Sequence, residues 1–96
     1  MNFSTVHNYY ERLVFNQIHN VALDSNITLS ESELADVACI ALNKLPPRYV
    51  RHDVDTSFSL TSEERTKLNQ SIVDAVNDGI QYVADHRDNK PNQSIP

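Results

Sequence analysis

Glycine occurs only once in the 96 residues, at Gly79. It is the residue that most readily adopts the left-handed backbone conformations of hairpin turns and phosphate-binding loops. A turn-rich sheet is therefore hard to build from this sequence, whereas long helices are not. The same scarcity excludes a P-loop and a dinucleotide-binding glycine motif.

Three segments carry apolar residues at spacings of three and four, which is typical of helices that bury one face. The first covers residues 5–22 and precedes a polar linker at residues 23–28, where Asp, Ser and Asn favour turns. The apolar positions of this first segment are Val6, Tyr9, Tyr10, Leu13, Val14, Ile18 and Val21.

Capping boxes predict where the second and third helices begin. Ser30 with Glu33, and Thr61 with Glu64, each combine a hydroxyl with a carboxylate three residues later. A pair of prolines should end the second helix, and residues 48–60 are expected to be irregular or extended. The expected inner faces are Leu34, Val37, Ala38, Ala41, Leu42 and Leu45 in the second helix, and Leu68, Ile72, Val76, Ile80 and Val83 in the third.

These patterns predict an all-α protein, a small bundle of three main helices with an irregular Pro-Pro-Arg-Tyr loop. Residues 1–87 should form a single helical domain, and residues 88–96 a disordered tail. Gly79, inside the third helix, costs about 1 kcal/mol relative to alanine, and marks a close helix crossing, a kink or a tolerated weak position. Because chains of this length bury a limited core, we also expect a homodimer.

Composition narrows the classes of function further. The formal net charge of −5 argues against sequence-independent binding of duplex DNA, although a local anion site is compatible with it. The single cysteine, Cys39, can form neither an internal disulfide nor a Cys-x-x-Cys metal site, and the four histidines lack zinc-ligand spacing. No apolar run reaches the length of a signal peptide or membrane span, so a soluble, cytoplasmic protein is expected.

Two segments resemble the signatures of a known family. Residues 6–14 read VHNYYERLV, and residues 36–50 read DVACIALNKLPPRYV. The second is the more specific, because a helix end, a double proline and an Arg-Tyr pair rarely occur in this order by chance. Both segments resemble the ComFB (late competence development) family, and the resemblance covers residues 5–85.

The resemblance implies a small helical bacterial protein, often dimeric, that binds a ligand or partner and is not an enzyme. Some members of the family are described as receptors for the second messenger cyclic di-GMP, which is therefore the ligand that the resemblance suggests. Other members hold zinc in a cysteine cluster, a feature that a chain with Cys39 alone does not share. We expect no metal and no other cofactor.

Five side chains are candidate ligand contacts. Arg48, Tyr49 and Arg51 follow the double proline, where guanidinium groups can pair with phosphates or a guanine edge and a phenol can stack on a base. Asn8 and Glu11 lie one turn apart on the predicted first helix, and Glu11 could orient Arg48 or accept from guanine N1 and N2. The structural alternatives are an Arg48–Glu11 ion pair, a Tyr49 that closes the core, and a solvated face at Asn8 and Glu11.

Two hypotheses of function follow. In the first, a two-fold dimer presents its Pro-Pro-Arg-Tyr loops to cyclic di-GMP, a ligand with its own two-fold symmetry, and signals through a downstream protein. In the second, the protein is a ligand-free dimeric adaptor that mediates a protein–protein interaction linked to competence. Direct DNA binding is disfavoured by the net charge, and no catalytic constellation is evident, so we expect no enzyme activity.

Overall fold

A computed structural model of the chain describes residues 3–24 and 27–87, in which helices dominate. The predicted tail at residues 88–96, and Ser25 and Asn26 of the predicted linker, lie outside these ranges. The elements in chain order are β1 (His7–Asn8), α1 (Tyr10–Asp24), α2 (Glu31–Lys44), β2 (Tyr49–Val50), α3 (Asp53–Ser59) and α4 (Ser62–His86). The prediction of a small all-α bundle is confirmed.

The core lies between α1, α2 and α4. Val14, Val37 and Val76, one from each of these helices, have no exposed surface, and burying a side chain of this size contributes about 1.5–3 kcal/mol. Ile40 joins the core although the predicted inner face of α2 did not include it, because that face is wider than the predicted stripe. The buried apolar residues of the core cluster are Tyr10, Val14, Ile18, Val37, Ile40, Ala41, Leu45, Ile72, Ala75, Val76, Ile80 and Val83.

Both predicted capping boxes are present. The Ser30 hydroxyl accepts from the Glu33 backbone N–H at 3.1 Å, and the Glu33 carboxylate accepts from the Ser30 N–H at 2.9 Å. Thr61 and Glu64 exchange the same two hydrogen bonds at the start of α4. An N-cap of this kind is worth about 1 kcal/mol, so two of the helix starts are fixed by local sequence.

A longer-range contact fastens the end of α4 to the start of α2. The Arg87 Nε lies 2.8 Å from the Glu33 carboxylate, and its Nη2 donates to the Thr28 carbonyl oxygen at 2.9 Å. The hydrogen bond from Arg87, followed by that from the Ser30 backbone, holds the pKa of Glu33 below its ordinary value. The Glu33 carboxylate therefore serves the helix cap and the tertiary contact together.

Gly79 marks a close helix crossing, the first of the three predicted alternatives. A Cβ atom built on Gly79 would lie 3.0 Å from the Val37 carbonyl oxygen and 3.2 Å from the Val37 Cγ1. Helix α4 passes so near the backbone of α2 that a methyl group at residue 79 would require its neighbours to shift by a few tenths of an ångström. The single glycine of the chain thus lies where packing leaves little room for a side chain.

Two local predictions are wrong. The first helix begins at Tyr10 and not at residue 5, because the Asn8 side chain caps its first turn and residues 7–8 pair in the sheet. Residues 48–60 are not irregular throughout, since they contain β2 and α3. Helix α3 has seven residues, too few for a recognisable apolar period, and its position depends on contacts with residues distant in sequence.

Candidate ligand-binding site

Strand β1 fastens the start of the loop between α2 and α4. It pairs antiparallel with β2, so that Asn8 lies opposite Tyr49. The Asn8 Oδ1 accepts from the backbone N–H of Arg48 at 3.2 Å, and the Tyr9 N–H donates to the Arg48 carbonyl oxygen at 2.6 Å. The backbone of Arg48 is thereby held on both sides.

The same strand also fastens α3. The His7 Nε2 lies 2.6 Å from the Asp53 Oδ1, and the hydroxyls of Tyr9 and Ser57 are 2.9 Å apart. Residues 7–9, which we call the β1 clamp, therefore contact the loop at three places between Arg48 and Ser57. The Arg65 Nη2 also donates to the Ser57 carbonyl oxygen at 2.9 Å, so the β1 clamp and Arg65 together hold the segment that carries the loop side chains.

Asn8 and Glu11 form a reciprocal cap at the start of α1. The Asn8 Oδ1 accepts from the Tyr10 N–H at 3.2 Å, while the Glu11 Oε1 accepts from the Asn8 N–H at 3.1 Å. Within residues 3–24 and 27–87 no ion pair joins Glu11 to Arg48, so that structural alternative is absent from this part of the chain. Asn8, and not Glu11, contacts Arg48, through the backbone N–H of that residue.

A depression of about 570 Å³ opens beside the β1–β2 pair, and we call it the Tyr49 depression. Its volume lies within the range of small-molecule sites. The Tyr49 side chain is 69% exposed and does not close the core. Three of the five predicted site residues, Asn8, Glu11 and Tyr49, line the depression together. The lining residues are Val6, His7, Asn8, Glu11, Leu42, Asn43, Leu45, Pro47 and Tyr49.

A second depression, of about 590 Å³, lies on the other side of His7, and we call it the Arg51 depression. It contains the predicted site residue Arg51. Arg12 contributes a second guanidinium group, and the sequence did not indicate that the two arginines lie in one depression. His7 lines both depressions, so they share a wall. The lining residues are His7, Arg12, Arg51, His52, Asp53, Val54 and Asp55.

Arg48 lines neither depression. The pKa of Glu64 is lowered first by the hydrogen bond from the Thr61 backbone, and also by the positive charge of Arg48. The guanidinium group of Arg48 therefore lies on the side of the loop that faces the start of α4. Of the two predicted arginines, Arg51 lines the depression that shares His7 with the Tyr49 depression, and Arg48 lines neither.

The contact between His7 and Asp53, at the start of α3, should depend on pH because His7 titrates. The hydrogen bond to Asp53 raises the pKa of His7 above its ordinary 6.5. A raised pKa contributes stability that is complete below 6.5 and is lost as the pH rises through the folded-state value. We therefore expect the free energy of unfolding to fall as the pH rises from 6.5 through the folded-state pKa of His7. The ring resonances of His7 should titrate at higher pH in the wild type than in Asp53→Asn.

The Asp53→Asn variant is the control for this titration, because the amide keeps the size of the side chain and removes its charge. Identical His7 titration curves in the wild type and in Asp53→Asn would contradict the ion pair.

In residues 3–24 and 27–87, no group of three His, Cys, Asp or Glu side chains could hold a metal ion. Within the same ranges, no helix combines the length and apolar character needed to span a membrane. Among the described residues, the two depressions beside the β1 clamp are polar concave surfaces that contain predicted site residues.

Comparison with known proteins gives one finding. The family model described as late competence development protein ComFB matches residues 7–87, a range that includes every helix and strand described above. No curated protein matches the chain. Apart from Val6, the matched range contains both signature segments and the residues of both depressions, and the chain therefore belongs to the ComFB family.

Proposed function

We propose that this protein is a homodimeric cyclic di-GMP receptor that signals through a downstream protein and performs no catalysis itself. The observation that carries the proposal is the Tyr49 depression, in which strand pairing gathers Asn8, Glu11 and Tyr49. The family's link with late competence development supports a role of the receptor in that process.

The Tyr49 depression has the properties of a guanine site. Leu42 and Pro47 supply apolar walls, and the exposed ring of Tyr49 offers a face on which a purine can stack. One carboxylate oxygen of Glu11 accepts from Asn8, which leaves the other to accept from the N1–H and N2–H of guanine. An adenine presents no such pair of donors, so Glu11 would favour guanine.

The Arg51 depression suits the phosphates. Arg12 and Arg51 bring two guanidinium groups to one concave surface of a chain whose net charge is −5. Two carboxylates also line this surface, that of Asp55 and that of Asp53, which is paired with His7. Since His7 lines both depressions, a base in one and a phosphate in the other would be adjacent parts of one nucleotide. A dimer with two-fold symmetry would present this pair of depressions twice to cyclic di-GMP, which has its own two-fold symmetry.

The proposal is tested by isothermal titration of the purified protein with cyclic di-GMP, with GTP and cyclic di-AMP as controls. We expect micromolar or tighter binding that is selective for cyclic di-GMP. The Arg48→Ala, Arg51→Ala double variant should lose at least about tenfold in affinity, since each charge-assisted hydrogen bond contributes roughly 1.5–3 kcal/mol. Most of the loss should come from Arg51.

Lys67→Ala is the matched control, because Lys67 is an exposed cation on α4 outside both depressions. It should bind cyclic di-GMP as the wild type does. An unchanged affinity of the double variant for cyclic di-GMP would refute the assignment of Arg48 and Arg51 as ligand contacts. The absence of both heat and a thermal shift with cyclic di-GMP would refute the receptor.

A second candidate function is a ligand-free adaptor. Val54 and Phe58 lie one turn apart on α3 and are 61% and 85% exposed. Such a pair is suited to contact another protein, in keeping with the enrichment of aromatic side chains at binding hot spots. If the protein binds no nucleotide, Phe58→Arg should abolish the binding of its protein partner.

A further inference from the structure

Helices α1 and α2 leave an apolar groove of about 430 Å³ between them, which we call the α1–α2 groove. Its residues follow the spacing i, i+3, i+4, i+7 on both helices, so each helix presents one continuous stripe. Phe15 lies at the groove and is 68% exposed, although aromatic side chains gain strongly from burial. The lining residues are Phe15, Ile18, His19 and Ala22 on α1, and Glu31, Leu34, Ala35 and Ala38 on α2.

We infer that a second copy of this chain covers the α1–α2 groove, with Phe15 of each copy inserted into the groove of the other. This inference rests on the dimer of the proposed function and assigns its interface. One face carries both a projecting apolar ring and a concave apolar surface, as a self-complementary two-fold interface requires. The result would be four helices packed around a shared apolar centre.

The distribution of charge favours the α1–α2 groove over the surface of α4 as the place where two copies meet. Two copies that each carry a net charge of −5 repel one another. Of the residues that line the α1–α2 groove, only His19 and Glu31 are ionisable. Helix α4, in contrast, exposes several carboxylates, among them Asp74, Asp78 and Asp85. Two acidic chains can therefore approach through α1 and α2 at a lower electrostatic cost.

The groove also continues into the candidate ligand site. Phe15 follows Glu11 by four residues on α1, and Leu42 follows Ala38 by four residues on α2, so the stripes extend along the same faces. Glu11 and Leu42 line the Tyr49 depression, whereas Phe15 and Ala38 line the α1–α2 groove. A dimer joined through the groove would place its two ligand sites beside the interface.

The test is the mass of the full chain in solution, measured by light scattering and sedimentation under reducing conditions. The wild type should have twice the chain mass of 10.9 kDa. Phe15→Arg should raise the dimer dissociation constant at least about tenfold, because loss of a central aromatic anchor typically costs over 1 kcal/mol. It should keep the helical circular dichroism of the wild type, since Phe15 is largely exposed.

Phe58→Arg is the matched control, since Phe58 is also an exposed phenylalanine but lies on α3, away from the groove. This variant should remain dimeric. Ala35→Lys places a charge on the α2 side of the groove and should dissociate the dimer as Phe15→Arg does. A wild type of 10.9 kDa would overturn the proposed dimer and this interface together.

The remaining outcomes separate the interface from the proposed function. A wild-type dimer that persists in Phe15→Arg and in Ala35→Lys would overturn the interface and leave the dimer standing. Dissociation in these two variants upholds the interface whether or not the chain binds cyclic di-GMP. If it does bind, both variants should also bind the dinucleotide more weakly than Phe58→Arg.

Discussion

Gly79→Val should lower the free energy of unfolding by about 3 kcal/mol, the upper end of the cost of overpacking a core. Even the Cβ atom would lie 3.0 Å from the Val37 carbonyl oxygen. That oxygen belongs to the backbone of α2 and cannot rotate away, and valine adds two further methyl groups. The crossing of α2 and α4 would have to widen, which would open the core around Val37 and Val76.

Chemical and thermal unfolding of the full chain measure this loss, which corresponds to a fall in melting temperature of roughly 15 °C. The control is Asn77→Val, since residue 77 is exposed on the same helix and valine and asparagine have similar helix propensities. Gly79→Ala should also destabilise, although alanine is intrinsically the better helix former. Equal stability of Gly79→Val and Asn77→Val would contradict the close crossing.

The parts of the fold that could be predicted are those specified by local sequence. Each capping box combines two hydrogen bonds within four residues, so Ser30 and Thr61 identify the starts of α2 and α4 without knowledge of the tertiary structure. The spacing of apolar residues identifies their buried faces for the same reason. Gly79 also stood out in the sequence, but only packing could decide between a crossing and a kink.

The parts that could not be predicted depend on contacts between distant residues. Strands β1 and β2 have two residues each, and they pair across some forty positions of the chain. Helix α3 is likewise held by His7 and Tyr9, which lie before α1. Pairs such as His7 with Asp53 produce no periodic pattern, and the sequence alone therefore suggested an irregular loop.

Asn8 and Glu11 show what a closer reading of the sequence could have found. They were predicted as ligand contacts on a helix that already included residue 8. The pattern Asn-x-x-Glu also matches a capping box, the signal that correctly located Ser30 with Glu33. That signal would have moved the start of the helix to Tyr9, one residue before the observed start, and assigned Asn8 a structural role beside the depression that it lines.

The structural role of Asn8 leads to the second large effect. Asn8→Ala should lower the free energy of unfolding by about 2 kcal/mol, because one side-chain oxygen caps α1 and also accepts from the Arg48 N–H. The loss should be accompanied by local loosening of the loop. Hydrogen exchange at the Arg48 amide, whose acceptor would be gone, should therefore quicken more than exchange in the core of α4.

Two variants separate this account from a general loss of stability. Asn8→Asp keeps an acceptor at the same position and should preserve both the cap and the slow exchange of the Arg48 amide. Asn16→Ala removes an exposed amide from the middle of α1 and should change stability by less than about 0.5 kcal/mol. If Asn8→Ala destabilised the chain while Arg48 exchanged as slowly as before, the cap on α1 would account for the whole effect. The backbone of Arg48 would then be held by its hydrogen bond to Tyr9 alone, and the position of Tyr49 in the candidate site would not depend on Asn8.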